Sequence, residues 1–223
     1  MDNIYNRNGL IFWNAKEIGV RNFLASYFVG ELGRVLKNEN RAFEMIQVEA
    51  SLLTPQELIN PAYCESDYFK TSEGFALRPE TTMGSYAYAQ HLLAHSELRA
   101  KLPICVWQHG KSFRREQDQA TKFMRLKEFY QLEFQCIYGL TTANDYSKAV
   151  IPAAQRMISD MIGPCRVEDS DRLPEYSERT TDIICEHSEL EVCSISIRKD
   201  FPNAKVLEIA IGTDRCVFSF LGK

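Results

Sequence analysis

The stretch 107–138 constrains the fold more than any other part of the chain. It reads WQHGKSFRREQDQATKFMRLKEFYQLEFQCIY, and an apolar run, 104–107, leads into it. Aromatic and apolar residues crowd its end, 129–138, and a polar loop at 117–122 separates the two runs. Two β-type segments joined by a short polar loop predict an antiparallel hairpin.

Charged and aromatic side chains occupy fixed points of this predicted hairpin. Arg114 and Glu116 are two residues apart, so a strand would point both side chains to the same face. Arg125 and Phe129 lie on the return side. A guanidinium beside a carboxylate, with an aromatic ring nearby, can hold a phosphate, a base edge and a base face. The hairpin therefore predicts a nucleotide-binding platform.

Length and charge bound the remaining possibilities. The 223 residues suffice for one large domain with a substantial core, and the composition is that of a globular protein, 45% hydrophobic and 25% charged. A net charge of −4 gives no general attraction to nucleic acid, so a polynucleotide contact would need a local basic patch. No segment approaches the roughly 20 apolar residues of a membrane span. We therefore expect no membrane partner.

Cysteine usage and the N-terminal sequence indicate the compartment. The seven cysteines are odd in number and form no C-x-x-C pair. A reduced, cytoplasmic setting is the simpler interpretation. The first residues, MDNIYNRNG, lack the basic start and apolar run of a signal peptide.

Periodicity predicts the elements around the hairpin. Apolar residues recur at helical spacing over 17–37, where three glycines, Gly19, Gly30 and Gly33, would permit close packing of another element. The predicted helices are 17–37, 83–98 and 141–162, and the predicted strands are 43–53, 180–185, 190–197 and 206–211.

The phrase FALRPETT, 75–82, precedes the second predicted helix. Pro79 restricts the backbone, and the Glu80 carboxylate can accept hydrogen bonds from an ammonium group. The alternative is that Glu80 only complements the positive end of the helix dipole.

The last predicted strand ends in a second charged turn, VLEIAIGTDR at 206–215. Gly212 would let the backbone approach a ligand closely. Arg215 opens a helix, so its charge adds to the positive helix end, where a phosphate binds readily.

Three ordered phrases, about 17–55, 104–138 and 206–220, resemble motifs 1, 2 and 3 of the class II aminoacyl-tRNA synthetases. The wording is closest to dimeric-type glycyl-tRNA synthetases. The resemblance implies an α+β fold built on an antiparallel β-sheet flanked by helices. It also implies a catalytic domain, here the single domain 1–223, and a homodimer formed through motif 1. Dimeric glycyl enzymes carry an anticodon-binding domain as well, and we expect none in this sequence.

The resemblance further implies roles for individual residues. The implied catalytic residues are Arg114 and Arg215. The implied ATP-binding residues are Arg114, Glu116, Arg125, Phe129, Gly212 and Arg215. The implied amino-acid-binding residues are Glu80, Glu133, Arg198 and Ala210. The implied Mg²⁺ ligands are Glu191 and Glu208. Such catalysis is mostly positioning and electrostatics, without a protein nucleophile.

The implied function is ATP-dependent activation of a small, glycine-like amino acid and its transfer to the acceptor stem of a tRNA or to a tRNA-like molecule. Glycyl enzymes have a serine where this chain has Ala210, so the sequence does not fix the amino acid. Two alternatives stay open. One is a paralogue that loads a carrier protein, another protein or a modified nucleic acid, and the other is a non-catalytic binding or regulatory protein.

Overall fold

The computed structural model describes residues 5–95, 98, 100–115, 124–171 and 173–222. Its helices are α1 (Ala15–Glu39), α2 (Thr82–Ala94), α3 (Ser147–Ile162) and α4 (Thr213–Leu221), with a short 3-10 turn at Gln56–Leu58. The first strands are β1 (Tyr5–Arg7), β2 (Leu10–Phe12), β3 (Glu44–Gln47), β4 (Leu53–Pro55) and β5 (Phe75–Leu77). The later strands are β6 (Ile104–Phe113), β7 (Glu128–Gly139), β8 (Cys165–Asp169), β9 (Ser177–Cys185), β10 (Leu190–Arg198) and β11 (Ala204–Gly212). Across these ranges, no helix combines the length and apolar character that a bilayer crossing requires.

A seven-stranded sheet forms the centre of the molecule. Its strand order is β3-β6-β7-β11-β10-β9-β8, and every pair is antiparallel except β3 with β6. Two small sheets, β1-β2 and β4-β5, lie outside it. The predicted α+β class with a large antiparallel sheet flanked by helices is confirmed.

The predicted central hairpin is the pair β6-β7. Its register runs from Ile104 opposite Ile137 to Phe113 opposite Glu128, so both strands are longer than the apolar runs predicted. Arg114 comes one residue after β6, and its backbone N–H still donates to the Lys127 carbonyl at 3.0 Å. Glu116 lies outside the described residues.

The predicted strand 43–53 is wrong, because the structure divides it in two. β3 pairs with β6 and ends at Gln47, whereas β4 begins at Leu53 and pairs with β5. The Arg78 guanidinium donates hydrogen bonds to the carbonyl of Ala50 at 2.6 Å and to that of Ser51 at 3.4 Å. These carbonyls bond a side chain instead of a neighbouring strand, so the ladder is interrupted between β3 and β4.

The helix predictions are correct in existence but not in every boundary. A capping box fixes the start of α1, in which Asn14 accepts from the backbone of Lys16 and Glu17 and the Glu17 carboxylate accepts from Asn14 N–H. α2 ends at Ala94 rather than 98. α3 starts at Ser147 rather than 141, where Asp145 accepts from the Ser147 backbone N–H at 3.2 Å.

The expectation for the α1 glycines is wrong at two positions. A Cβ at Gly19 or Gly30 would meet nothing within 4 Å, and at Gly33 it would meet only Met45 at an ordinary 3.8 Å. Neither Gly19 nor Gly30 therefore serves close packing.

The two faces of the sheet have different surroundings. Along β11, Leu207, Ile209 and Ile211 are buried in the main apolar core, against which α1, α3 and α4 pack. The alternate residues point to the opposite face, as strand geometry requires. There Glu208 and Ala210 line a cavity instead of the core.

Hydrogen bonds from the buried Arg78 connect the segment 78–81 to the sheet. Arg78 Nε donates to the Lys111 carbonyl at 2.7 Å, in addition to its bond with Ala50. Gly110 on β6 leaves room for this guanidinium, since a Cβ there would overlap Arg78 Nη2. The glycine is thus a packing requirement.

We expect Gly110→Ala to lower the free energy of unfolding by about 1–3 kcal/mol, because the added methyl group displaces Arg78. The matched control is Gly30→Ala, in an exposed stretch of α1, which should raise stability by about 0.5–1 kcal/mol. Urea denaturation of both variants checks this. Equal effects at the two positions would contradict the packing role of Gly110.

Candidate active site

A cavity of about 870 Å³ opens on the polar face of the sheet. This volume falls in the range of small-molecule and cofactor sites, about 300–1,000 Å³. Strands β7, β11, β10 and β9 form its floor, and the segments 61–67, 124–126, 170–171 and 173–176 contribute walls.

Cross-strand register explains which side chains face the cavity. Glu133 of β7 is opposite Ala210 of β11, Ala210 is opposite Ser194 of β10, and Ser194 is opposite Asp182 of β9. Directly opposite residues share a face of the sheet. All of these four side chains line the cavity.

A second row of floor residues lies two positions along the same strands. Gln135 is opposite Glu208, Glu208 is opposite Ser196, and Ser196 is opposite Thr180. The Thr180 and Ser196 hydroxyls are 3.0 Å apart, and Gln135 Nε2 donates to Glu208 Oε2 at 2.8 Å. Thr180, Ser196 and Glu208 of this row line the cavity, whereas Gln135 only supports Glu208.

Two buried glutamates share one threonine at the start of α2. Thr82 Oγ1 is 3.2 Å from Glu133 Oε2 and 2.9 Å from Glu208 Oε2, and Thr81 also donates to Glu133. A hydroxyl has one proton, so Thr82 can donate to only one of the two carboxyl groups. Both contacts are hydrogen bonds when Glu133 carries a proton and donates to Thr82.

The pKa of Glu133 is raised to about 7, mainly by burial and also by the nearby charges of Glu208 and Glu80. Burial also raises the pKa of Glu80. A ligand that carries a positive charge would stabilise the ionised forms of these two carboxyl groups and lower their pKa.

Glu80 keeps one buried oxygen for a ligand. Its Oε2 accepts from the Tyr63 hydroxyl at 3.3 Å, whereas Oε1 is buried and has no hydrogen-bond partner within the described ranges. Glu80 lines the same cavity as Glu133 and Glu208. An unpaired buried acceptor costs about 1–3 kcal/mol, which a bound donor would remove.

Arg198 lies behind this carboxylate cluster. Its Nη1 donates to Glu208 at 2.8 Å, and its Nε and Nη2 donate to the two Asp200 oxygens at 3.1 and 2.6 Å. The guanidinium stacks 4.0 Å from the Tyr176 ring centre, and its side chain is fully buried. Arg198 is absent from the cavity lining, so the structure supports a role in orienting Glu208; direct contact with an amino acid stays a prediction.

Arg114 and Phe129 form one wall of the cavity. Arg114 Nε donates to the Pro79 carbonyl, and Nη2 donates to the Tyr63 hydroxyl, both at 3.0 Å. The guanidinium carbon is 5.3 Å from the Phe129 ring centre. Arg125 lines the same cavity. Arg114, Arg125 and Phe129 are the described residues of the predicted nucleotide platform, and all three line this cavity.

Arg215 and Gly212 also line the cavity, where β11 turns into α4. Arg215 Nη1 donates to the Glu191 carbonyl at 2.7 Å and lies 3.8 Å from the Glu191 carboxylate. Gly212 has no left-handed backbone conformation, so the predicted close approach of a ligand rests on its missing side chain.

The two predicted Mg²⁺ ligands lie apart. Glu208 is opposite Ser196, five residues along β10 from Glu191, which is ~16 Å at about 3.3 Å per residue. One ion could not contact both carboxylates. Over the described ranges, no group of three or more His, Cys, Asp or Glu side chains is arranged to hold a metal ion. Mg²⁺ commonly uses one or two carboxylates together with phosphate oxygens and water, so a metal at either glutamate stays a prediction.

Sequence reasoning missed Tyr63 and Asp182 as site residues. Tyr63 lies in an irregular segment without periodicity, and its hydroxyl bridges Arg114 and Glu80. Asp182 gave no usable signal, because residues 177–182 are all polar or charged and do not alternate with apolar residues. Its place beside Ser194 follows from the pairing of β9 with β10.

The raised pKa of Glu133 predicts a pH-dependent loss of stability. The folded state keeps a proton that the unfolded chain, with a pKa near 4.5, has already released, so the stability contributed by this group falls as pH rises from about 4.5 to about 7. Replacing Glu133 by glutamine removes this effect. We expect Glu133→Gln to gain roughly 2 kcal/mol relative to the wild type between pH 5 and pH 8, measured by urea denaturation.

The control for this measurement is Glu178→Gln, an exposed position on β9. Its stability difference from the wild type should be the same at the two pH values. A pH-independent difference for Glu133→Gln as well would show that burial does not hold a proton on Glu133.

Comparison with known proteins identifies the family to which the chain is similar. Residues 64–212 match the tRNA synthetase class II core domain (G, H, P, S and T). The glycine–tRNA ligase of Mesoplasma florum is 30% identical over 129 residues, which are 52% of this chain and 28% of that protein. The glycine–tRNA ligase of Staphylococcus aureus strain JH9 is 33% identical over 134 residues, 52% of this chain and 27% of that protein. The match spans about a quarter of the length of these curated relatives.

Solved structures share the fold. The prolyl-tRNA synthetase of Cryptosporidium parvum, complexed with halofuginone and AMPPNP, superposes with a TM-score of 0.71 at 13% identity, over 97% of this chain and 48% of that chain. The Giardia lamblia prolyl-tRNA synthetase, in complex with prolyl-adenylate, gives 0.72 at 15% identity, over 96% and 49%. Together with the match over 64–212, these findings show that the chain belongs to the class II tRNA synthetase core-domain family.

Proposed function

We propose that this chain uses ATP to activate a small amino acid as an aminoacyl-adenylate and transfers the aminoacyl group to a tRNA or tRNA-like acceptor. One observation carries the proposal: Arg114 with Phe129, and the buried carboxyl groups of Glu80 and Glu133, line the same cavity. A nucleotide and an amino acid could therefore bind side by side.

The nucleotide end is supported by the wall at Arg114 and Phe129. The Phe129 ring offers a face for adenine, and Arg114 offers a guanidinium for the α-phosphate. Arg125 and Arg215 line the cavity as cations for the β- and γ-phosphates, and Mg²⁺ would screen the same phosphates. A role for Glu116 at the adenine amine is part of the proposal.

The amino-acid end is supported by Glu80 and Glu133. An α-ammonium group would donate to the unpartnered Glu80 Oε1 and favour the ionised form of Glu133. Held there, the amino acid would have its carboxylate beside the α-phosphate. Tyr63 links Glu80 to Arg114 and would keep the two ends in register.

The chemistry follows from this placement. A carboxylate oxygen of the amino acid attacks the α-phosphorus of ATP, a carboxyl–phosphate bond forms, and the bond to the leaving pyrophosphate breaks. Arg114 stabilises the negative charge that develops on the α-phosphoryl oxygens. A hydroxyl of the acceptor then attacks the activated carbonyl, and AMP leaves.

Three further features belong to the proposal. The curated relatives are glycine–tRNA ligases, which favours a small amino acid and a tRNA acceptor. A homodimer is supported by exposed apolar side chains near the N-terminus, including Phe12 at 65% and Phe23 at 58% exposure. The seven unpaired thiols suit a cytoplasmic location.

A pyrophosphate-exchange assay tests the activation step. With ATP and Mg²⁺, the wild type should exchange pyrophosphate in the presence of a small amino acid. Arg114→Ala should reduce the exchange rate by about 100-fold or more, because it removes the charge at the α-phosphate. Arg41→Ala, an exposed arginine outside the cavity, is the matched control and should keep the full rate.

Circular dichroism of Arg114→Ala separates lost chemistry from lost fold. Wild-type exchange in a folded Arg114→Ala variant would remove Arg114 from the mechanism. Silence of the wild type with every amino acid tested, together with no binding of ATP, would contradict activation itself.

The acceptor needs its own measurement. Total tRNA incubated with labelled amino acid, ATP and the chain should acquire acid-precipitable label. Exchange without any labelled tRNA would contradict the tRNA assignment and leave the activation step in place.

A further inference from the structure

Asp182 is a buried carboxylate of the cavity floor that the activation chemistry does not use. It lies in β9, is 9% exposed and lines the cavity. Within the described part of the chain, no hydrogen bond or ion pair to its carboxylate is formed. The neighbouring floor carboxyl groups differ, because Glu133 and Glu208 both lie within hydrogen-bond distance of Thr82 Oγ1.

The position of Asp182 separates it from the place proposed for the α-ammonium group. It lies three strands from Glu133 in a direct cross-strand row, which is ~14 Å at about 4.8 Å per strand. One ammonium group could not contact both carboxylates. A group that pairs with Asp182 must therefore belong to another part of the bound molecule.

Small side chains fill the row between these two carboxylates. Ala210 and Ser194 separate Glu133 from Asp182, and all four line the cavity. A methyl group and a hydroxymethyl group leave open the space above them, so the floor forms a trough from Glu133 to Asp182. A substrate side chain that starts near Ala210 would extend along this trough.

The charge of the cavity points in the same direction. Among its described lining residues are nine aspartates and glutamates but only three arginines, and those are the arginines proposed for the phosphates. Carboxylates only accept hydrogen bonds when ionised. The trough therefore offers acceptors and favours a ligand that brings donors or positive charge.

We propose that the substrate is an amino acid whose side chain carries a hydrogen-bond donor, an amine in preference to a hydroxyl, and that Asp182 selects it. This inference rests on the proposed function and specifies its substrate class. Glycine and alanine would bring no donor to the Asp182 carboxylate, which lines the cavity and is 9% exposed as a residue. A site built around a polar partner discriminates strongly against analogues that lack it.

Pyrophosphate exchange with a graded set of amino acids tests the selection. The probes are glycine, alanine, serine, homoserine, L-2,3-diaminopropionate, L-2,4-diaminobutyrate and L-ornithine. For at least one amine-bearing probe, kcat/KM should exceed that of alanine by about tenfold or more. The chain length at the optimum reports how far the Asp182 carboxylate lies from the α-carbon.

Asp182→Asn is the decisive variant, because it keeps the size of the side chain and removes its charge. The ratio of kcat/KM for the best amine-bearing probe to that for alanine should fall by about tenfold or more. Asp169→Asn, an exposed aspartate on the neighbouring strand β8, is the matched control and should leave the ratio unchanged. Thermal melting of both variants establishes that they are folded.

The outcomes separate the two proposals. Equal exchange with alanine and with every donor-bearing probe, or an unchanged ratio in Asp182→Asn, would overturn the role of Asp182 while activation itself stands. No exchange with any probe, together with no binding of ATP by calorimetry, would overturn the proposed function and this inference with it.

Discussion

The site depends on three carboxyl groups that the fold buries away from water. Glu80, Glu133 and Glu208 are between 2% and 7% exposed, and burying ionised carboxylates without partners is expensive. The fold offsets the cost unevenly. Glu208 has a guanidinium, an amide and a hydroxyl, Glu133 has hydroxyl groups only, and Glu80 has one phenol. This imbalance leaves the site ready for a cation.

The antiparallel sheet makes the arrangement possible. Because successive side chains alternate between faces, a single strand such as β11 supplies Leu207 and Ile209 to the core and Glu208 and Ala210 to the cavity. Arg198 orients Glu208 from outside the cavity lining. Asp200 and the Tyr176 ring hold its guanidinium in place against Glu208. The carboxylate is oriented by a group that the substrate does not need to touch.

Most of the fold and part of the site could be predicted from local sequence patterns. The hairpin around Arg114 and Phe129 followed from alternation and a polar loop, and the cavity contains the predicted residues Glu80 and Glu133. The break between β3 and β4 could not be predicted, because it depends on Arg78, a residue about 28 positions away from the Ala50 carbonyl that it binds.

The same limit explains the missed site residues. The role of Tyr63 comes from contacts with Arg114 and Glu80, which no local pattern encodes. Asp182 becomes meaningful only when cross-strand register places it in line with Ser194 and Ala210. Register of this kind is a property of the assembled sheet.

The most direct measurement is a crystal structure of the chain with a non-hydrolysable ATP analogue and the amino acid that supports the fastest pyrophosphate exchange. The account predicts the adenine on the Phe129 ring, the α-phosphate at Arg114 and the α-nitrogen of the amino acid about 3 Å from Glu80 Oε1. A nucleotide bound outside this cavity, or an α-nitrogen that contacts neither Glu80 nor Glu133, would contradict it.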